Sequence, residues 1–154
     1  MQVSEVLRVK GNALFTVNPE TMLSDCIVTM AEHDVGSLVV MDHGRLAGML
    51  TFREVLRVLA RRQLEQRSGP TPPMAEIVVK QVMKNDPLVV SPQTDVNELR
   101  RIMLDTRQRY VPVMEGTTLL GVISFHDVAR AVLEEQGFEN RMLKAYIRNS
   151  PSEI

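Results

Sequence analysis

The sequence predicts an α/β fold of the α+β kind, with two copies of one strand–helix–strand–strand–helix unit and a further helix at the C-terminal end. Two observations carry this prediction. The chain repeats itself at a fixed distance, and both copies pass through the same order of strand-like and helix-like segments. An apolar stripe after the second copy has no counterpart in the first copy, and it predicts the additional helix.

The repeat is visible in segments that keep one offset without a gap. Residues 15–21 (FTVNPET) resemble residues 88–94 (LVVSPQT), and residues 46–57 (LAGMLTFREVLR) resemble residues 119–130 (LLGVISFHDVAR). Matching residues in both pairs of segments are 73 positions apart. Chance could match one segment but would not hold several in one register, so we infer a duplication.

Each copy begins with a short strand that ends near a proline, which blocks strand pairing and starts a turn. Apolar residues at helical spacing follow, and then two strands joined by a short polar connection that contains glycine, as a hairpin requires. The last helix starts at Phe52 or Phe125. The predicted strands are Phe15–Val17, Ser37–Met41 and Ala47–Leu50 in the first copy, and Leu88–Val90, Tyr110–Met114 and Leu120–Ile123 in the second.

The predicted organisation is a first unit at 3–66, a linker at 67–75, a second unit at 76–133 and a C-terminal helix at 134–148. The linker contains three prolines and a glycine, which the interior of a helix cannot hold. The apolar stripe of the C-terminal helix either packs back on the two units or meets another subunit.

Composition excludes several classes of function. The formal net charge of −1 argues against a sequence-independent nucleic-acid binder, and four Phe, two Tyr and no Trp offer few surfaces for base stacking. No apolar run is long enough to span a membrane, and the N-terminus lacks the apolar core of a signal peptide. The single Cys26, aligned with Leu99, predicts a small buried side chain and excludes an intrachain disulfide. We therefore expect a cytoplasmic protein with no membrane contact.

Both copies carry a glycine followed after three residues by Thr51 or Ser124, and after three more by Glu54 or Asp127. One interpretation is a capping box at the start of a helix. The other is a ligand site, because a hydroxyl beside free helix N–H groups can hold a phosphate and a nearby carboxylate can accept bonds from ribose hydroxyls.

The duplicated chain resembles a tandem pair of CBS domains (cystathionine-β-synthase type). The resemblance rests on the Val-x-Pro strand ends, on RQRYVPV at residues 107–113 and on the Gly-x-x-Ser/Thr-x-x-Asp ending, and it covers about residues 3–133. With EQGFENRMLKAYI at residues 135–147, the whole chain resembles small bacterial stand-alone CBS pairs regarded as signal-transduction modules. It implies a pseudo-two-fold pair of β-α-β-β-α motifs whose two clefts can bind AMP, ADP, ATP, NAD or S-adenosylmethionine.

The resemblance assigns roles at one cleft to Ser124, which matches the phosphate-binding hydroxyl, and to Asp127, which matches the ribose-binding carboxylate. The other residues expected at this cleft are Ile123 as an apolar wall, His126 towards the phosphates, Val35, Gly36 and Ser37 across the pair, Asn12 near the adenine, and Arg107 and Arg109 as sources of positive charge. For His126, an exposed position on the helix without a ligand contact is an equally good interpretation.

The second cleft departs from the family pattern, since Thr51 matches but Glu54 stands where the family has Asp. The extra methylene moves the carboxylate and also completes the better capping box. Arg53, Tyr110 and Val111 could still build a pocket, which we expect to be weak, empty or differently selective. The arginines at 57, 61, 62 and 67 are most simply a solvated helix face, with Arg57 as a phosphate ligand in a minority interpretation.

These expectations favour a regulatory module that senses an adenosine-containing ligand, needs no cofactor and is not an enzyme, because no nucleophile has a paired base and the histidines lack metal-ligand spacing. Its expected partners are a second copy of the chain and an unidentified effector protein. The alternative is a purely structural dimerisation or docking module that has no physiological ligand.

Overall fold

The computed structural model describes residues 1–10, 14–66 and 74–149. The greater part of the predicted linker, residues 67–73, lies outside the described residues. In chain order the elements are α1 (Val3–Lys10), β1 (Thr16–Val17), α2 (Leu23–His33), β2 (Ser37–Asp42), β3 (Arg45–Thr51), α3 (Phe52–Gln66), two 3₁₀ turns (Met74–Glu76 and Val79–Gln81), β4 (Lys84–Asn85), α4 (Val96–Thr106), β5 (Tyr110–Glu115), β6 (Thr118–Ser124) and α5 (Phe125–Asn149). The mixed α+β fold predicted from the sequence is confirmed.

The two copies form two sheets of different size. The first sheet has the order β1-β2-β3-β4, with β1 parallel to β2 and the other pairs antiparallel. The second sheet is the antiparallel pair β5-β6. Both hairpins carry a register shift at the same place, between Val40 and Met41 in the first copy and 73 positions later in the second.

The predicted first strand of the second copy is reduced to one bridge, from Val90 to Val113. Its counterpart in the first copy gains a hydrogen bond that the Val39 N–H donates to the Phe15 carbonyl, at 3.4 Å. Pro112 occupies the position equivalent to Val39 and has no N–H to donate. This missing donor explains why regular pairing does not extend along residues 88–90.

Each hydrophobic core includes one segment from the other predicted unit. Val3 and Val6 of α1 are buried in the core of the second unit, where the Val3 N–H donates to the Thr94 carbonyl at 2.9 Å. In the same way Val79 is buried in the core of the first unit, and its N–H donates to the Thr21 carbonyl at 2.8 Å. The predicted boundaries of the two units stay a prediction, but the packing ties the units together through these exchanged segments.

The last helix of the second unit and the predicted C-terminal helix are one continuous element, α5. Near its start, Val128 and Ala131 are buried in the core of the second unit. Further along, Phe138 and Tyr146 are 57% and 73% exposed, so the apolar stripe does not pack back on the two units. Within the described residues, no helix combines the length and the apolar character needed to cross a membrane.

Candidate functional site

A cavity of about 1080 Å³ lies between the two units. The second unit lines it with residues from the end of β6 and the start of α5, and the first unit with the loop before β2. Among the residues predicted for the first cleft, those that line this cavity are Val35, Gly36, Ser37, Arg107, Arg109, Ser124 and His126. The structure therefore brings together most of the set that the resemblance assigned to one site. Asn12 falls outside the described residues.

Ser124 and Asp127 form a reciprocal pair where α5 begins. The Ser124 N–H donates to Asp127 Oδ2 at 2.9 Å, and the Asp127 N–H donates to Ser124 Oγ at 3.0 Å. This is the hydrogen-bond pattern of a capping box. Ser124 and Asp127 therefore form the capping box that one interpretation predicts. Ser124 also lines the cavity, as the ligand-site interpretation predicts.

Asp127 has a further partner in Lys10, at the end of α1. Lys10 Nζ lies 2.7 Å from Asp127 Oδ2 and 2.7 Å from the Val122 carbonyl, so one ammonium group ties α1 to β6 and α5. Burial alone would raise the pKa of Asp127, but the hydrogen bonds from Lys10 and Ser124 outweigh it, and the pKa lies below its usual value. Lys10 was not predictable from the repeat, because the equivalent position in the second copy is Met83.

Asp127 is not among the residues that line the larger cavity; it lines a third cavity of about 210 Å³ together with Lys10. Two apolar residues predicted for the clefts also lie elsewhere. Ile123 and Val111 are fully buried in the core of the second unit and line neither cavity between the units. Successive side chains of a strand point to opposite faces, so the neighbours of Ile123 in β6 face the cavity instead. The apolar wall that β6 supplies is therefore Val122 rather than Ile123.

Gly36 of the first unit lies against Tyr110 of the second unit at this cavity. A Cβ atom built on Gly36 would lie 1.9 Å from the hydroxyl of Tyr110 and 2.7 Å from a ring carbon of Phe52. Glycine is required here because no side chain fits between these rings. Burial raises the pKa of the Tyr110 hydroxyl, more than the nearby Arg109 lowers it.

A smaller cavity of about 580 Å³ lies on the other side of this contact. Thr51, Arg53, Glu54 and Tyr110 line it, as expected for the second cleft. Both the Thr51 N–H and its hydroxyl donate to Glu54 Oε1, at 2.8 and 2.7 Å, and Glu54 is only 6% exposed. Glu54 Oε1 thus caps the start of α3, as the capping interpretation predicts, but the Thr51 hydroxyl oxygen accepts from the Arg53 N–H at 3.2 Å, so the reciprocal pair seen at Ser124 and Asp127 is not formed among the described residues.

The arginine face of α3 borders this smaller cavity rather than open solvent alone. Arg57 and Arg61 line it together with Lys84 of β4 and Arg109. Arg53 Nη2 also donates to the Arg107 carbonyl at 2.8 Å, which links α3 to the loop before β5. The sequence predicts only that Arg57 and Arg61 share one face of a helix. It gives no indication that Lys84 and Arg109 lie across a cavity from that face.

The side chains that line these cavities include groups that can bind anions and flat rings. Within the described ranges, no group of three or more His, Cys, Asp or Glu side chains could hold a metal ion. The cationic side chains and the helix N-termini can hold anions, and the apolar side chains can hold a flat ring.

Cys26 is fully buried in the core of the first unit, which confirms its prediction as a small core residue. This burial raises the pKa of its thiol to about 11.

Comparison with known proteins places this geometry in a family. The model of the CBS domain matches residues 3–61 and 79–134. A CBS domain-containing protein of Arabidopsis thaliana, CBSX3, mitochondrial, is 32% identical over 154 residues that cover 95% of this chain and 71% of the relative.

Solved structures share the fold. A putative signal-transduction protein with CBS domains from Burkholderia ambifaria is 28% identical, with a TM-score of 0.76 over 88% of this chain and 96% of that one. The structure of CBSX2 of Arabidopsis thaliana in complex with AMP is 26% identical, with a TM-score of 0.70 over 88% of this chain and 98% of that one.

Proposed function

Because this chain belongs to the CBS-domain family as a tandem pair, we propose that it is a regulatory module that senses an adenosine-containing ligand in the larger cavity. The candidate ligands are AMP, ADP, ATP, NAD and S-adenosylmethionine. The observation that carries the proposal is the joint placement of the Ser124 hydroxyl, the start of α5 and apolar walls from both units at one cavity of about 1080 Å³. The AMP complex of CBSX2 supports the ligand class.

The polar groups divide into a ribose side and a phosphate side. Among the described residues, Asp127 Oδ2 accepts hydrogen bonds from Lys10 and from the Ser124 N–H, and the Asp127 N–H donates to Ser124 Oγ, which leaves Oδ1 to accept a bond from a ribose hydroxyl. Arg107, Arg109 and the N-terminal end of α5 supply positive charge for a phosphate. His126 Nε2 lies 3.3 Å from Arg130 Nη2. Because a guanidinium group only donates, His126 Nε2 is the acceptor of this hydrogen bond.

The apolar lining suits a purine ring. Leu14, Val35 and Val122 stand around the cavity, and pockets of roughly 300–1,000 Å³ with a few polar groups are typical of small-molecule sites. A ligand that touches both units favours one relative arrangement of the units by its difference in affinity for the two arrangements. The proposed role is therefore signalling to an effector protein and not catalysis.

Calorimetry and melting temperature test the proposal. Each candidate ligand is titrated into the wild-type chain, into Asp127→Asn and into Asp105→Asn, an equal change of charge on the exposed end of α4. A ligand at 100 times its Kd stabilises by about 2.7 kcal/mol, or roughly 5–10 °C for a chain of this size. We expect binding to the wild type and Asp105→Asn, and at least tenfold weaker binding to Asp127→Asn. If none of the five ligands binds, or if Asp127→Asn binds as the wild type does, the proposal fails.

A second candidate function is dimerisation through α5. Its exposed apolar stripe contains Phe138, Met142, Tyr146 and Ile147, and such a surface is typical of contacts with another chain. We propose that a second copy covers it. Light scattering of the wild type and of Phe138→Glu/Tyr146→Glu should give a dimer and a monomer respectively, and a monomeric wild type would refute this assignment.

The cytoplasmic localisation stays a prediction, since one relative is named as mitochondrial.

A further inference from the structure

Two helices carry a row of apolar side chains that the rest of the described chain leaves exposed. The first, called the α3 row, lies on a different side of α3 from the buried Val58 and consists of Phe52, Leu56 and Leu59. The second, called the α5 row, lies beyond the point where α5 leaves the core of the second unit and consists of Phe138, Met142 and Tyr146. Leu56 and Tyr146 are 68% and 73% exposed, so the described part of the chain covers neither row.

The two rows match in length. At 1.5 Å per residue, the α3 row extends over about 10 Å and the α5 row over about 12 Å. Exposed apolar faces of this kind are typical of contacts with another chain. A contact between two α5 rows would leave the α3 rows of both copies exposed, whereas a contact between an α5 row and an α3 row covers one of each kind.

The charges beside the two rows are opposite in sign. Between the α3 row and the smaller cavity lie Arg53, Arg57 and Arg61. Beside Phe138 in the α5 row lie Glu134, Glu135 and Glu139, two of them as neighbours on the helix surface at intervals of four and three residues. Within the described residues, none of these arginines and glutamates takes part in an ion pair. Opposite charges therefore favour pairing of α5 with α3, while two α3 rows would bring arginines together.

We propose that the α5 row of one copy docks on the α3 row of a second copy, and that a two-fold axis repeats the contact in the other direction. Each copy then gives one α5 and receives the other, which closes the assembly as a dimer and not as a filament. This contact rests on the dimerisation through α5 proposed above and adds the surface of the second copy that α5 binds. The docked glutamates lie beside the arginines that border the smaller cavity of the other copy.

Complementation between two variants tests this contact. The α3 variant is Leu56→Glu/Leu59→Glu and the α5 variant is Phe138→Glu/Tyr146→Glu. In a homodimer of either variant both contacts are damaged. In a heterodimer of the two variants the damaged rows meet in one contact, and the other contact joins an unchanged α5 row to an unchanged α3 row. We expect a dimer Kd at least tenfold above that of the wild type for each variant alone, and a heterodimer in the mixture that is at least tenfold tighter than either homodimer.

Sedimentation measures the dimer Kd, native mass spectrometry identifies the heterodimer, and circular dichroism shows that each variant keeps its helices. The matched control is Val28→Glu/Leu120→Glu, which changes two exposed apolar side chains of α2 and β6 and should dimerise as the wild type does. An α3 variant that dimerises normally, a mixture without heterodimer, or a control as weak as the variants would overturn docking on α3 and leave dimerisation through α5 standing. A monomeric wild type would refute both.

The acidic side chains of α5 allow a second measurement that leaves the apolar rows unchanged. Glu135→Lys/Glu139→Lys places positive charge opposite the arginines of α3, so the dimer Kd should rise at least tenfold. Asp105→Lys/Glu115→Lys makes the same change of charge on α4 and β5 and should leave the Kd unchanged. Equal Kd values for the two charge variants would overturn the proposed pairing of α5 with α3.

Discussion

The ion pair between Lys10 and Asp127 allows a quantitative test of how the larger cavity is held together. The perturbations are Lys10→Met, which keeps most of the side-chain volume, Asp127→Asn, which keeps the shape, and the double variant. The two groups are joined at 2.7 Å, with side chains 33% and 14% exposed. The pair is therefore neither fully exposed nor fully buried.

The expected magnitude lies between two limits. Exposed ion pairs contribute about 0.2–1 kcal/mol, and breaking a fully buried pair costs about 3–5 kcal/mol. Since Lys10 keeps a third of its side chain in solvent, we expect a coupling free energy of about 1–2 kcal/mol, intermediate between those limits. Urea unfolding of the four proteins at pH 7 gives this value as the departure of the double variant from additivity.

The pH dependence has a definite sign. The pKa of Asp127 lies below its usual value in the folded chain, so its contribution to stability is present above the unfolded pKa of about 3.9 and is lost as the pH falls through the folded pKa. In Lys10→Met that pKa rises, because burial persists without the ammonium group. The difference in stability between the wild type and Lys10→Met should therefore be largest near pH 7 and should narrow below pH 4.

Two results would refute this reasoning. A coupling free energy within the usual error of additivity, about 0.3–0.5 kcal/mol, would mean that the pair contributes nothing specific. A stability difference that stays constant from pH 7 to pH 3 would mean that Lys10 acts through its packing and not through the charge of Asp127.

Two further substitutions and one labelling experiment have expected outcomes. Gly36→Ala should lower the free energy of unfolding by about 1–3 kcal/mol and weaken binding in both cavities, because Tyr110 must move and lines both; unchanged urea midpoint and affinities would contradict this. Leu99→Ala, at a fully buried site, should cost about 2–5 kcal/mol in urea unfolding, whereas Leu104→Ala, at a site 60% exposed, should stay within about 0.5 kcal/mol. Cys26 should not react with a disulfide reagent at pH 8 until guanidinium unfolds the chain, since burial raises its pKa to about 11 and excludes the reagent; rapid native reaction would disprove its burial.

The duplication made most of the fold predictable from the sequence. Apolar residues 73 positions apart, such as Cys26 and Leu99 or Met30 and Met103, are buried in equivalent places of the two cores. Repeated apolar spacing depends only on local periodicity, which the chain displays directly. The same spacing could not reveal that α1 packs in the second core, because that depends on tertiary contacts between distant segments.

The site was predictable where the family motif applies, both at the repeated Ser124–Asp127 motif and at the Val35–Ser37 loop, which has no matching sequence in the second copy. Ser124 and Asp127 came together as the motif requires, whereas Lys10 joined them from a segment without a repeat partner. The choice of Ile123 as a wall residue shows a different failure. Apolar character alone did not distinguish a core residue from a cavity residue, although alternation along β6 decides between Ile123 and Val122.

The net charge of the whole chain does not predict the charge of a single cavity. The formal net charge is −1, yet Arg53 and Arg109 line both cavities, and the acidic side chains that line them are Asp34 in the larger cavity and Glu54 in the smaller one. Cationic side chains outnumber acidic ones in both linings: Lys10, Arg53, Arg107 and Arg109 accompany Asp34 in the larger cavity, and Arg53, Arg57, Arg61, Lys84 and Arg109 accompany Glu54 in the smaller one. Because concave walls of low dielectric concentrate the local field, a nearly neutral chain can still attract anions to two adjoining sites. The positive charge of the cavities thus comes from the local excess of arginine and lysine in their walls, while the capping bonds of Glu54 and Asp127 stabilise the starts of α3 and α5.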